Sequence, residues 1–265
     1  MSDANTLDRY EAAKTIATKA GAEALRYFNA FDSLTVDKKG HQDLVSEGDR
    51  NVELLIRAEL DAAFPEDGIV GEEHANVEGT SGYTWVIDPI DGTANFVRGI
   101  PAWCMTLACV KGDEVLVGII FDPVHGELYH TCRGQGAFCN ETKISTVQNA
   151  SLSDGSIAIG FSGRTRKEGV LTLIDMIMNE GGVFFRNASG ALSLAYVSCG
   201  KLLGYLEEHM HPWDCLAGQL LVAEAGGMIE KQDAQDMVKN GGRVVAGAQG
   251  VAQDLLRMAD TAYKP

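Results

Sequence analysis

Between Trp85 and Phe96 the chain reads Trp-Val-Ile-Asp-Pro-Ile-Asp-Gly-Thr-Ala-Asn-Phe, which sets the residue types of a cation site and an anion site side by side. Trp85, Val86 and Ile87 read as a strand that delivers Asp88 at its exposed end. Pro89 keeps a helix from starting there and removes a backbone donor. Asp88 and Asp91 are thereby free to converge, with the carbonyl of Ile90 between them as a third hard oxygen. Gly92 lets the backbone approach a ligand without a Cβ in the way, and Thr93 adds a hydroxyl where amide N–H groups face an anion. Carboxylates and a carbonyl suit Mg²⁺, Mn²⁺ or Ca²⁺ rather than zinc. A divalent cation beside a Gly-Thr amide cradle is the equipment of phosphate chemistry. Asp-Pro and Asp-Gly pairs are also ordinary turn formers, so a solvated turn is the competing reading of this segment.

Three further acidic segments bear on that choice. In Gly68-Ile69-Val70-Gly71-Glu72-Glu73 a short apolar strand ends on adjacent carboxylates, which as a solvated pair would do nothing more. In His211-Pro212-Trp213-Asp214, Pro212 precedes an apolar-periodic run closed by Gly226-Gly227, the pattern of a helix with its stop signal. Asp214 falls in its first turn, where the helix dipole favours negative charge. In Ser46-Glu47-Gly48-Asp49 the capping-box pattern opens a helix over 51–64, and capping alone would account for Asp49.

The elements that must position these residues read as a layered α/β order. Helical periodicity runs from Leu7 to Phe28, and the polar stretch 36–43 reads as a loop or hairpin tip that moves. After Phe96, strand-like runs at 105–111, 115–121 and 127–132 are separated by Gly112-Asp113 and by Pro123-Val124-His125-Gly126, the pattern of an antiparallel meander. The second half alternates: strand 156–160, helix 167–179, a strand near Phe184, helix 191–199 and strand 204–207. It closes with helix 214–225, strands 228–230 and 243–246, and helix 252–262. Two sheets interleaved with helix layers fit this order.

Taken together these segments resemble the inositol monophosphatase family of lithium-sensitive, Mg²⁺-dependent phosphomonoesterases. Trp85 to Phe96 is similar to the family's Trp-(aliphatic)-Ile-Asp-Pro-(aliphatic)-Asp-Gly-Thr-x-Asn-Phe signature without a gap, and Gly71 to Glu73 to its Gly-Glu-Glu signature. Trp213-Asp214 through Glu224-Ala225-Gly226-Gly227 is similar to its C-terminal signature. Gly134 to Phe138 with Asn140, and Arg186 to Leu192, are similar to two further family stretches. The resemblance runs from about Asp37 to Gly247. It implies an αβαβα sandwich of two mixed or antiparallel sheets and helix layers. It also implies a single phosphatase unit over 1–265, with metal and phosphate motifs in 1–150 and the substrate side and last ligand in 151–265.

Position by position, the resemblance implies that Glu72, Asp88 and the Ile90 carbonyl hold one Mg²⁺. Asp88, Asp91 and Asp214 hold a second, and a third, weaker ion again uses Glu72; Mn²⁺ is a possible substitute. Thr93 and Asp49 match the pair that activates the attacking water, with Glu72 alongside. The amides of Gly92 and Thr93 match the phosphate cradle, and Lys38 a basic residue of the loop over the site. Glu207 matches a carboxylate that binds sugar hydroxyls. Ser189 and Gly190, with Asp91 and Asp214, lie on the substrate side. Here the chain departs from the pattern: Ala188-Ser189-Gly190-Ala191 stands where the family usually has Gly-Ser-Ala-Ala, and Ser193 where it often has Asp or Asn. The implied substrate is a small phosphate monoester, inositol 1-phosphate first. Histidinol phosphate, fructose 1,6-bisphosphate and NADP are alternatives, 3′-phosphoadenosine 5′-phosphate is less favoured, and a non-catalytic regulator is disfavoured by the intact acidic set. A homodimer is also implied.

Phosphate-monoester hydrolysis is among the slowest uncatalysed reactions in water. Two cations can acidify water near neutral pH, neutralise phosphoryl oxygens and stabilise the leaving alkoxide. A nucleophilic Asp is the chemical competitor, but Asp88 and Asp91 are better used as ligands. The global numbers are compatible. The 265 residues are 45% hydrophobic, enough for a full core, with no apolar run of membrane-spanning length. No basic-then-apolar leader opens the chain, and the six cysteines show no Cys-x-x-Cys pairing, which reads as a cytoplasmic protein with reduced thiols. A net charge of −15 disfavours nucleic acid and anionic membrane as general partners. His209 and His211 lack a further metal-type partner, and Cys104 and Cys215 lack an evident base.

Overall fold

The computed structural model describes residues 4–30, 35–40 and 43–264, without the side chains of 38–40 and 43–45. Helix α1 (Ala4–Phe28) is followed by a hairpin of β1 (Val36–Gly40) and β2 (Asp43–Ser46), and by α2 (Glu47–Ala63). Then come β3 (Gly68–Gly71), β4 (Tyr83–Asp91), the single turn α3 (Thr93–Phe96), β5 (Cys104–Lys111), β6 (Glu114–Asp122), β7 (Glu127–Cys132), β8 (Ala137–Cys139) and β9 (Thr142–Ile144). The second half comprises β10 (Ser156–Ile159), α4 (Lys167–Asn179), β11 (Val183–Phe185), α5 (Gly190–Ser198), β12 (Gly204–Met210) and α6 (Pro212–Glu224). It ends with β13 (Met228–Ile229), α7 (Ala234–Asn240), β14 (Gly242–Gly247) and α8 (Ala252–Ala262).

Strands β3 to β9 form a seven-stranded sheet in sequence order. It is the expected meander, antiparallel throughout except that β3 lies parallel to β4. The second sheet has the order β11-β10-β12-β14-β13, with β10 parallel to both its neighbours.

Three apolar cores sort these parts into layers. Side chains along β4 alternate between faces, and both faces are apolar because both are covered. Trp85 and Ile87 pack with Leu107 and Ile119 against Ala13, Ala17, Val52 and Ile56 of α1 and α2. Val86 points the other way, with Ala108 and Ile120, into a core shared with Leu192 and Leu194 of α5 and Leu216 and Leu220 of α6. That core is closed by Ala158, Tyr205 and Val244 of the second sheet. The outer face of that sheet, through Ile157, Leu206 and Val245, packs on Leu173 of α4 and Leu255 of α8. The order is helix, sheet, helix, sheet, helix: the αβαβα sandwich. Helices α5 and α6 are apolar nearly all round because they lie between two sheets. Gly218 lets them cross closely, since a Cβ there would stand 2.5 Å from the Cβ of Leu194.

Some boundaries differ from the sequence reading. The helix expected over 51–64 starts four residues earlier, because Ser46 is its N-cap. Of the stretch 36–43, residues 36–40 form β1, which pairs antiparallel with β2, and residues 41–42 lie outside the described residues. Lys38 lies in β1, and its side chain is outside the described residues. No helix among the described residues is long and apolar enough to cross a membrane.

Candidate active site

The end of β4 is where the sequence departs from regular strand. Asp88 pairs with Thr106 but Asp91 with Cys104, so one extra residue bulges out of β4. Pro89, which has no N–H to give the ladder, sits in this bulge. The Asp88 carboxylate accepts the Ile90 N–H at 2.8 Å, which sets the turn. Asp88 is 1% exposed, not at an open strand end as its sequence context suggested: the strand tip is roofed by the second half of the molecule. Gly92 then adopts φ 100°, and a Cβ there would lie 3.0 Å from the Ala102 carbonyl. Asn95 locks the turn to both halves, donating to the carbonyls of Ala102 and Asn187 at 2.6 and 2.7 Å.

Asp49 does two things at once. Its Oδ2 accepts the Ser46 N–H at 2.8 Å and the Ser46 hydroxyl at 2.5 Å, completing the capping box of α2. Its Oδ1 accepts the Thr93 hydroxyl at 3.1 Å, and the Ile90 carbonyl is an alternative acceptor for the same hydroxyl at 3.1 Å. Capping and chemistry are competing readings of Asp49 in the sequence; here one oxygen completes the cap and the other accepts from Thr93. Burial pushes this carboxyl above the usual carboxylate range, against the hydrogen bonds from Ser46 and Thr93 that favour the charged form.

Asp91 is held from the other half of the chain. Its Oδ2 accepts the Ser189 hydroxyl at 2.6 Å and the Ala191 N–H at 2.8 Å, in the first turn of α5. Ser189 also caps α5, accepting from Leu192 N–H at 3.3 Å. Asp214 arrives from the first turn of α6, which Pro212 opens, and Thr106 anchors that turn by donating to the Trp213 carbonyl at 2.6 Å. One carboxylate oxygen from each of Asp88, Asp91 and Asp214 lies within 4.8 Å of the other two. Burial is the largest cause raising all three carboxyls, and mutual repulsion adds to it for Asp88 and Asp214. The charge of Glu72 contributes to both of these. An all-oxygen, mutually repelling set, with Asp88 buried and Asp91 and Asp214 half-buried, fits a hard divalent cation, which would relieve the repulsion. Glu72 itself sits just past β3. Its neighbours are fixed by Glu53 of α2, fully buried, which accepts the N–H groups of Glu73 and His74 at 2.8 and 3.2 Å and pairs with Arg57 at 2.7 Å.

Beside the carboxylates opens a cavity of about 140 Å³. Asp91, Asp214, Glu207, Ser189 and Gly190, which the resemblance puts on the substrate side, line it. Ser162, Arg164, Arg186 and Tyr205 line it too and were not singled out for it. Arg164 reaches to 4.0 Å from Asp214. Arg164 follows a strand of the second sheet at its carboxyl end, the position where open α/β sheets place ligands, and that rule could have found it. The thiols are bland: all six cysteines are free, and burial raises the Cys104 and Cys215 thiols well above their ordinary values. His209 Nε2 donates to the Asn240 carbonyl and His211 stacks on Trp213.

The fold, with three converging carboxylates, a hydroxyl–carboxylate couple and a polar cavity beside them, is that of a phosphoric monoester hydrolase. The chain belongs to the inositol monophosphatase family, whose family model matches residues 6–262. It is 39% identical over 245 residues to an inositol-1-monophosphatase of Mesorhizobium japonicum, covering 91% of this chain and 92% of that one. It is 40% identical over 215 residues to Nus factor SuhB of Xylella fastidiosa, covering 80% and 78%. The extragenic suppressor protein suhB from Bartonella henselae superposes with a TM-score of 0.88 at 32% identity, over 94% of this chain and 96% of that one.

Proposed function

We propose that the chain hydrolyses a small phosphate monoester, inositol 1-phosphate first, with Mg²⁺. The observation that carries this reading is the convergence of Asp88, Asp91 and Asp214 next to the Thr93–Asp49 couple. Glu72, Asp88 and the Ile90 carbonyl would hold one ion, Asp88, Asp91 and Asp214 a second, with Glu72 serving a third; Mn²⁺ is a fitting substitute. Bound cations supply charge that acidifies water, neutralises phosphoryl oxygens and stabilises the leaving alkoxide.

The chain's own residues do the rest. Thr93 Oγ1 accepts a hydrogen bond from the attacking water while giving its own proton's hydrogen bond to Asp49 Oδ1. Asp49, buried and with a raised pKa, is suited to take charge of that proton. The amides of Gly92 and Thr93 cradle the phosphoryl group. The water oxygen bonds to phosphorus as the bond to the ester oxygen breaks in line. Glu207, which lines the cavity, accepts hydroxyls of the leaving group, with Ser189 and Gly190 along the wall. We place the protein in the cytoplasm as a homodimer.

The relatives differ in what they are named for, including inositol-1-monophosphatase, Nus factor SuhB and, in Aquifex aeolicus, fructose-1,6-bisphosphatase/inositol-1-monophosphatase. A phosphate-release screen over inositol 1-phosphate, histidinol phosphate, fructose 1,6-bisphosphate and NADP tests the choice. Preference for inositol 1-phosphate, with inhibition by Li⁺, supports this assignment. A clear preference for another of the four moves the substrate, and no release from any of them refutes the reading.

A further inference from the structure

Tyr205 and Glu207 stand two residues apart on β12 and therefore share one face of the strand. Both are buried, at 2% and 6% exposure, and both line the cavity. The Tyr205 hydroxyl donates to Glu207 Oε2 at 2.5 Å. Burial and the adjacent carboxylate push this phenol well above its ordinary pKa, so it stays a neutral donor. With Oε2 engaged by Tyr205, and Ser162 also hydrogen-bonding this carboxylate, a ligand hydroxyl takes the acceptor capacity that remains.

Two glycines make room for this pair. A Cβ on Gly160 would stand 2.0 Å from Glu207 Oε2 and 2.4 Å from the Tyr205 hydroxyl oxygen. A Cβ on Gly190 would stand 2.6 Å from Met210 Cε and 3.0 Å from the Tyr205 hydroxyl oxygen. Neither glycine has a left-handed φ, so space and not backbone conformation calls for glycine at both. Gly190 is also one of two points, with Ala188, where this chain departs from the Gly-Ser-Ala-Ala pattern it otherwise resembles, an alanine being usual at Gly190. An alanine methyl there would displace the flexible end of Met210 and press on the phenol oxygen, so the departure bears directly on where the tyrosine hydroxyl sits.

We infer that Tyr205, admitted by Gly190, is a positioning residue that fixes Glu207 as an acceptor for hydroxyls and so makes this site selective for phosphate esters of polyols. This inference rests on the phosphatase reading and on Glu207 facing the leaving group. A carboxylate clamped in one rotamer, with one oxygen occupied, binds a leaving group that brings a hydroxyl donor. It leaves an unpaired buried acceptor against a leaving group that brings none, which is how a polar site discriminates. Tyr205 acts through Glu207 and does not touch the phosphoryl group.

The test compares kcat/KM for inositol 1-phosphate with that for p-nitrophenyl phosphate, an ester whose leaving group carries no hydroxyl donor. In Tyr205→Phe the ratio of the two falls about tenfold, equivalent to about 1.4 kcal/mol, and the fall is carried by KM for the polyol ester. Gly190→Ala, which crowds the phenol oxygen, lowers the ratio in the same sense. The double variant Gly190→Ala with Tyr205→Phe removes the crowded atom and falls no further than Tyr205→Phe alone, the signature of one shared contact. General loosening of the fold would lower both substrates together and add across the two substitutions. A ratio within twofold of wild type in Tyr205→Phe, or additive losses in the double variant, overturns the inference while leaving the phosphatase reading standing. Wild-type protein that releases phosphate from neither ester overturns both.

Discussion

Asp49→Asn separates the helix cap from the catalytic role proposed for this side chain, and the geometry fixes how the amide must sit. One carboxylate oxygen accepts from both the Ser46 N–H and the Ser46 hydroxyl, and the other from the Thr93 hydroxyl only. An amide NH₂ turned toward Ser46 would face two donors, so the asparagine carbonyl must take that side and its NH₂ must face Thr93. The Thr93 hydroxyl has a second acceptor in the Ile90 carbonyl and turns to it. The cap survives, and the path from water through Thr93 to a carboxylate is cut. Loss of a positioned general base costs roughly 10²- to 10⁴-fold in rate, and kcat should fall by that much with KM and Mg²⁺ affinity close to wild type. Stability should hold or rise slightly. Because burial raises the Asp49 pKa, its ionised form weighs against the fold once pH exceeds that raised value, and asparagine carries no charge. Steady-state phosphate release at saturating substrate, beside a melting curve, checks both halves. A drop in Tm with kcat near wild type would show that Asp49 is a helix cap and nothing more.

Three other expectations follow from the same contacts. Ser189→Ala removes the 2.6 Å hydrogen bond to Asp91 but leaves the one from Ala191, so Mg²⁺ affinity should weaken about tenfold, the lower end for support of a ligand; calorimetry giving unchanged affinity would count against Asp91 as a ligand. Asp88, Asp91 and Asp214 all have pKa values raised above their unfolded ones, so their contribution to stability is present below the unfolded value and is lost as pH rises through the raised ones. Chelated protein should therefore melt higher at about pH 5 than at about pH 8, and Mg²⁺ should raise Tm more at the higher pH; an equal Mg²⁺-induced rise at both would contradict the coupling. Ala188 has φ 64°, where a Cβ costs about 1–2 kcal/mol, so Ala188→Gly should stabilise by about 0.5 kcal/mol after the unfolded-state entropy of glycine is counted; denaturant titration showing a loss would mean that the methyl packs usefully.

What was legible in the sequence was what is local in it. Asp88, Ile90, Asp91, Gly92 and Thr93 lie on one strand, bulge and turn, so their residue types and spacing already state the site. Asp214 was legible because Pro212 and the apolar run after it announce a helix start. Contacts that cross the chain were not. Ser189 meets Asp91 across 98 residues, and nothing in its neighbourhood distinguishes a helix cap from a cap that also holds a ligand. Glu53 reads as one more charge on a surface helix, yet it is fully buried and positions the turn that bears Glu72. Tyr205 reads as an ordinary aromatic strand residue until Gly160 and Gly190 are brought against it. The short elements α3, α7, β8 and β9 are not legible, since neither period repeats often enough in them to register, whereas the equally short β11 and β13 are, through their apolar residues. The layering was readable from the order of elements, because strands apolar on both faces require cover on both.

The central claim is that a cation held by Asp88, Asp91 and Asp214 is required for phosphate release. The most direct test is phosphate release from inositol 1-phosphate by protein stripped with EDTA, followed by Mg²⁺ titration, with Asp91→Asn run in parallel. The account predicts no release after stripping and full recovery with Mg²⁺ in the wild type. The folded variant should bind Mg²⁺ weakly and stay nearly inactive at every concentration. Full-rate hydrolysis after exhaustive chelation, or wild-type rates and Mg²⁺ affinity in Asp91→Asn, would contradict it.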